Sequence, residues 1–186
     1  MDYPKYRRAR ELAWEILLRE GVVSLPVRTS TLCRQLGIHL AYGTPHEGSD
    51  GYSIVCQENM YIVIRDDLRI ERARFTVAHE LGHVLLGHVG RYGLVNREPS
   101  PTDNPIEKEA NVFASRLLAP ACVLWGCGAS TAEEISTLCG ISLQSAQIRA
   151  ERMAALRERG RFLASPLERK VYEQFLPFID SHHLRA

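Results

Sequence analysis

The chain reads as an α+β protein, mainly helical, with a small three-stranded antiparallel sheet and a helical C-terminal extension. Three observations predict this. Short β-prone runs cluster at 38–42, 52–56 and 60–64. Helix-periodic segments flank them on both sides. At 186 residues and 45% hydrophobic, the chain can bury one sizeable core.

Residues 6–20 place Ala9, Leu12, Ala13, Ile16 and Leu17 on one helical face, and Gly21 ends the segment. The chain turns at 24–26, and Thr29 or Ser30 is expected to cap a short helix, Thr31 to Leu36, stopped at Gly37. Ile38 to Tyr42 is a strand, and 43–51 is a turn-rich loop. Tyr52 to Cys56 and Met60 to Ile64 form a hairpin through Gln57-Glu58-Asn59. An apolar, helix-compatible run follows from Phe75 to Leu86. A polar link, 87–104, leads to a second helix capped by Asp103 or Asn104, opened by Pro105 and running to Leu118. Beyond it, 131–139 and 143–149 read as two helices around Gly140-Ile141-Ser142, with Ser142 as a cap. The last helix, 167–179, is interrupted by Pro177, and His182 and His183 fall in the tail. The boundary between a first domain, 1–125, and a helical region packed on it, 126–186, is placed after Trp125.

Inside the apolar run stands His79-Glu80-Leu81-Gly82-His83. Positions i and i+4 share one face of a helix, so the two imidazoles can chelate one Zn²⁺. Glu80 then sits beside the ion, where its carboxylate can take a proton from water. Two histidines and a glutamate within an apolar helix need partners, because unpaired buried polar groups are costly. Gly82 weakens the helix, and a close approach of another backbone would explain it.

A catalytic zinc site needs a third protein ligand. His88 follows His83 by five positions, about 140° further round a helix at ~100° per residue. It is expected to point away, as a surface or capping histidine. The second helix offers Glu107, which shares a face with Ala110, Asn111 and Ala114. Small residues beside the carboxylate allow close packing, so Glu107 is the expected third ligand. Asn111, one turn on, can accept the N–H of a ligand imidazole and fix its tautomer. Glu109 is the alternative third ligand, about 160° from Asn111 by the helical repeat. Carboxylates in a first turn also offset the helix dipole, and that is their ordinary role when no such pentapeptide is near.

The two motifs, Arg74 to His83 and Glu107 to Pro120, resemble those of the ImmA/IrrE family of metallopeptidases. The resemblance implies a zincin-like domain over 1–125 of the gluzincin type. Two histidines and one glutamate hold zinc there, and Glu80 is the general base. It also implies a protein that cuts or inactivates a helix-turn-helix transcriptional repressor, in mobile-element induction or stress response; a cytoplasmic location is expected from the cysteines instead. One departure is Ala119, where the family usually has Met before the proline.

Composition excludes several alternatives. Net charge is +1, so no global pull toward nucleic acid or membrane is written here. Five cysteines, at 33, 56, 122, 127 and 139, form no C-x-x-C pair and read as reduced thiols. No apolar run approaches the ~18 residues of a membrane span. The pair of helices around Gly140 has a helix-turn-helix look, with Gln144, Gln147, Arg149 and Arg152 as candidate DNA contacts. A hairpin packed on the core is the favoured reading, since Glu151 and Glu158 dilute the basic run. The competing functional class is a non-catalytic regulatory module that holds a repressor or DNA. Glu80 and the lack of a fourth protein ligand argue against it.

Overall fold

The computed structural model describes residues 6–45, 49–89 and 104–182. The chain divides into two compact units, 1–9 with 28–114 and 10–27 with 115–186. A first helix, α1 (Arg7–Arg19), crosses the boundary between them.

The first unit holds α2 (Thr29–Gln35), β1 (Ile38–Gly43), β2 (Gly51–Cys56), β3 (Asn59–Arg65) and α3 (Ile70–Leu85). It also holds most of α4 (Pro105–Leu118). The expected caps of α2 do not act as caps. Thr29 is already helical, and Arg28 precedes it with no side-chain bond.

The sheet is mixed, not antiparallel as expected. Its order is β1-β3-β2, with β3 antiparallel to β2 and parallel to β1. The reason is parity. Each of two short connections reverses the chain, so the third strand runs in the direction of the first. A meander would have set β3 outside β2 and left every pair antiparallel. Here β3 inserts between its predecessors, because it carries Ile62 and Ile64, both fully buried. The centre of a sheet is where such a strand buries most. The β2–β3 hairpin closes through Gln57 and Glu58, at φ 48° and 65°. Positive φ at both central residues suits the twist of a two-residue hairpin. Asn59 Nδ2 donates to the Gln57 carbonyl at 3.1 Å.

The inner face of the sheet packs on α3. A Cβ at Gly51 would stand 2.8 Å from Thr76 Cγ2, so β2 starts almost in contact with that helix. Asn104 opens α4 as expected, its Oδ1 accepting from Ile106 N at 3.0 Å. Ala110, Phe113 and Ala114 are fully buried along α4. A Cβ at Gly82 would lie 3.1 Å from Ala110 Cα and from Phe113 Cδ1. The two helices therefore meet backbone to backbone at that glycine.

The second unit holds α5 (Ala121–Gly126), α6 (Ala132–Cys139), α7 (Leu143–Glu158), α8 (Pro166–Gln174) and α9 (Leu176–Ser181). Thr131 and Glu134 form a capping box on α6, and Ser142 caps α7 through Ser145 N. α7 continues nine residues past the Arg149 expected as its end, and α5 was not expected at all. The last helix breaks at Phe175, so that Pro177 falls in the first turn of α9. Gln174 Nε2 donates to the carbonyls of Leu17 and Val22, at 2.8 and 2.7 Å, where α1 ends. Arg149, read above as a candidate DNA contact, is buried and donates to the Ala119 carbonyl.

Candidate metal centre

Eight consecutive residues of α3, Thr76 to His83, are buried. Within them His79, Glu80 and His83 lie at most 1% exposed. The i, i+4 spacing brings His79 Nε2 and His83 Nε2 to 2.9 Å from each other.

Glu107 comes from the first turn of α4. Its Oε2 stands 3.2 Å from His79 Nε2 and its Oε1 3.2 Å from His83 Nε2. The close helix contact at Gly82 makes this reach possible. Burial opposes ionisation of Glu107, but hydrogen bonds and charge from His79 and His83, in their protonated forms, outweigh it. Its carboxyl is held well below the usual carboxylate range.

The tautomers follow from the outer partners. His79 Nδ1 lies 2.9 Å from Asn111 Oδ1. An amide oxygen only accepts, so Nδ1 carries the proton and Nε2 keeps its lone pair. With the His83 Nε2 unprotonated as well, two imidazole lone pairs and an anionic carboxylate converge on one point. Such a set repels itself without a cation. The edge of a tetrahedron with Zn–N bonds of ~2.0–2.1 Å is about 3.3 Å. The observed spacings of 2.9, 3.2 and 3.2 Å are close to that edge. His79, His83 and Glu107 form the metal-competent cluster found among the described residues. Three donors in one corner fit a zinc ion with an open position, and the donor chemistry suits it.

Glu80 is held from the sheet. Ser53 Oγ donates to Glu80 Oε2 at 2.5 Å and lies 3.3 Å from the Glu80 backbone carbonyl. Ser53 is fully buried on β2. Nothing in the sequence marked it, since the contact joins a strand and a helix 27 residues apart.

His88 does not point away. α3 ends at Leu85, Leu86 closes it, and Gly87 takes a φ of 75°. That left-handed residue turns the chain back, as glycine does after a helix. Extrapolating helical angles through it fails for this reason. His88 is buried, with Nδ1 3.1 Å from His83 Nδ1 and Nε2 3.1 Å from Glu109 Oε2. Glu109 therefore meets His88 and not the converging lone pairs. Burial lowers the pKa of His88, against the opposing hydrogen bond to Glu109. Most of the polar link 87–104, Tyr92 included, lies outside the described residues.

A family model described as the IrrE N-terminal-like domain, of a peptidase family, matches residues 33–151. The match takes in the sheet, both helices of the His-His-Glu cluster, α6 and the first half of α7. No curated protein matches the chain.

Proposed function

The chain belongs to the IrrE N-terminal-like peptidase family, and from that premise we propose a zinc-dependent endopeptidase whose substrate is a helix-turn-helix transcriptional repressor. The observation that carries the catalytic part is the convergence of His79, His83 and Glu107 one residue away from a buried, hydrogen-bonded Glu80. When bound, Zn²⁺ supplies Lewis acidity, which polarises a scissile carbonyl and makes water a better nucleophile. Every other task falls to side chains. His79, His83 and Glu107 hold the ion. Asn111 keeps the His79 ring oriented. Glu80 takes a proton from the attacking water and returns it to the leaving amine. Ser53 fixes the carboxylate in place while it does so.

Among the described residues β2 is an edge strand, paired only with β3. It is also the strand that carries Ser53. An extended substrate segment added along that edge would gain main-chain hydrogen bonds close to Glu80, with little demand on sequence. The repressor is supported by family resemblance and by this sequence-tolerant mode of capture.

Metal analysis of the purified chain is the first test, with one Zn²⁺ per chain expected. Incubation with a repressor encoded nearby is the second. Glu80→Gln should keep its metal and lose cleavage by at least about 10²-fold, the scale of a general base. A fully active Glu80→Gln protein refutes the mechanism. A repressor that is bound and never cut, by wild type and variant alike, leaves the regulatory-module reading standing.

A further inference from the structure

We propose that His88 and Glu109 are positioning residues, a relay that locks the His83 ring in the tautomer offering Nε2 to the cation. The inference rests on the metal-site reading of His79, His83 and Glu107.

The argument is proton accounting. An ionised carboxylate only accepts, so the 3.1 Å contact with Glu109 Oε2 puts a hydrogen on His88 Nε2. A neutral ring with that hydrogen has a bare Nδ1. The bare Nδ1 then accepts from His83 Nδ1–H across 3.1 Å. His83 is left with its lone pair on Nε2, facing Glu107 and His79. Each proton along the chain points outward, away from the centre. The opposite polarity would require a neutral Glu109 or a doubly protonated His88.

Geometry supports a built device. His88 reaches its place through the turn at Gly87, and its side chain is 5% exposed. Glu109, at 32%, keeps one side in solvent, where a negative charge is cheap to hold. Glu109 also sits two residues from Glu107. One turn of α4 thus supplies both a metal ligand and the anchor of the relay. The two ligand imidazoles are treated differently. An amide oxygen holds His79, whereas a second imidazole ending in a carboxylate holds His83. A carboxylate at the end of such a chain raises the basicity of the ligand nitrogen.

The test uses the full chain with Zn²⁺ alone. Long-range ¹⁵N NMR of the histidines in the loaded protein should show His88 neutral and protonated at Nε2. Protonation of His88 at Nδ1 instead overturns the relay. Zinc affinity by chelator competition reads its effect. His88→Leu and Glu109→Ala are expected to weaken zinc about 10- to 100-fold, the range for partners of ligand histidines. His88→Gln should recover most of that loss, because its amide can accept from His83 and donate to Glu109. A packing role predicts the reverse order, with Leu tolerated. Glu109→Ala changes a partly exposed position, so it carries the test should buried His88 variants not fold. Unchanged affinity in Glu109→Ala and His88→Leu, beside a wild type that binds zinc, removes the relay and leaves the peptidase reading intact. A wild type that takes up no Zn²⁺ overturns both.

Discussion

The 2.5 Å contact between Ser53 Oγ and Glu80 Oε2 engages one lone pair of the base before any substrate arrives. A hydrogen bond to a charged group contributes about 1.5–3 kcal/mol. At 1.36 kcal/mol per decade, Ser53→Ala should lower kcat by roughly tenfold or more while metal content stays at wild-type stoichiometry. Turnover and metal analysis on the same preparation check this, and loss of metal with activity would make Ser53 a packing residue only. His79 with His83, and Glu107 with Asn111, were legible in the sequence because i, i+4 spacing brings each pair to one face of its helix, and Glu80 by its place inside the pentapeptide. Ser53 was not, because no local pattern records which strand residue meets which helix. His88 was misplaced for a different reason. Its angle was carried through Gly87, although a glycine just past an apolar run is itself a sign that the helix stops.

Among the elements, α3 and α4 carry the His-His-Glu cluster, and their separation is set where Gly82 meets Ala110. Gly82→Ala forces a methyl group against main chain 3.1 Å away. Overpacking costs about 1–3 kcal/mol, and better helix propensity returns up to ~1. A net loss of about 1 kcal/mol in denaturant titration is expected, with weaker zinc binding as Glu107 is pushed back. Elsewhere, Glu168 near the start of α8 is buried and accepts from Ala164 N at 3.0 Å. Burial raises its pKa above the ordinary value, only partly offset by backbone N–H groups. A carboxyl raised on folding contributes stability below its unfolded pKa and loses it as the pH rises through the folded one. Glu168→Gln should therefore gain in melting temperature relative to wild type at pH 7, with the gain shrinking at pH 4. Thermal melts at the two pH values decide it. Caps such as Asn104 and Ser142 were readable because their side chains act locally. The parallel β1–β3 pair was not, because strand order depends on which strand buries most. α5 also escaped, since six apolar residues after Pro120 have no period to betray them.

For the molecule as a whole, composition and pattern predicted a mainly helical α+β chain with three strands, and the structure has that form. None of the described helices is long and apolar enough to cross a membrane. An ion held by His79, His83 and Glu107 would tie residues 79 and 83 to residue 107, and an ion bound only by the folded state adds to stability. Zn²⁺ at about 100 times its Kd contributes about 2.7 kcal/mol, and a chelator should lower the melting temperature accordingly. An unshifted melt under chelator would argue that the site holds no ion in solution. The contact at Gly82 bears on one more property, the size of ion the protein accepts. Side chains can yield, but two touching main chains set a fixed gauge between the helices. Ca²⁺ takes six to eight oxygens at ~2.3–2.6 Å, and a cavity built on that gauge with two nitrogens cannot widen to admit it. Discrimination between cations would then be written partly in a missing methyl group, on a residue that is not itself a ligand.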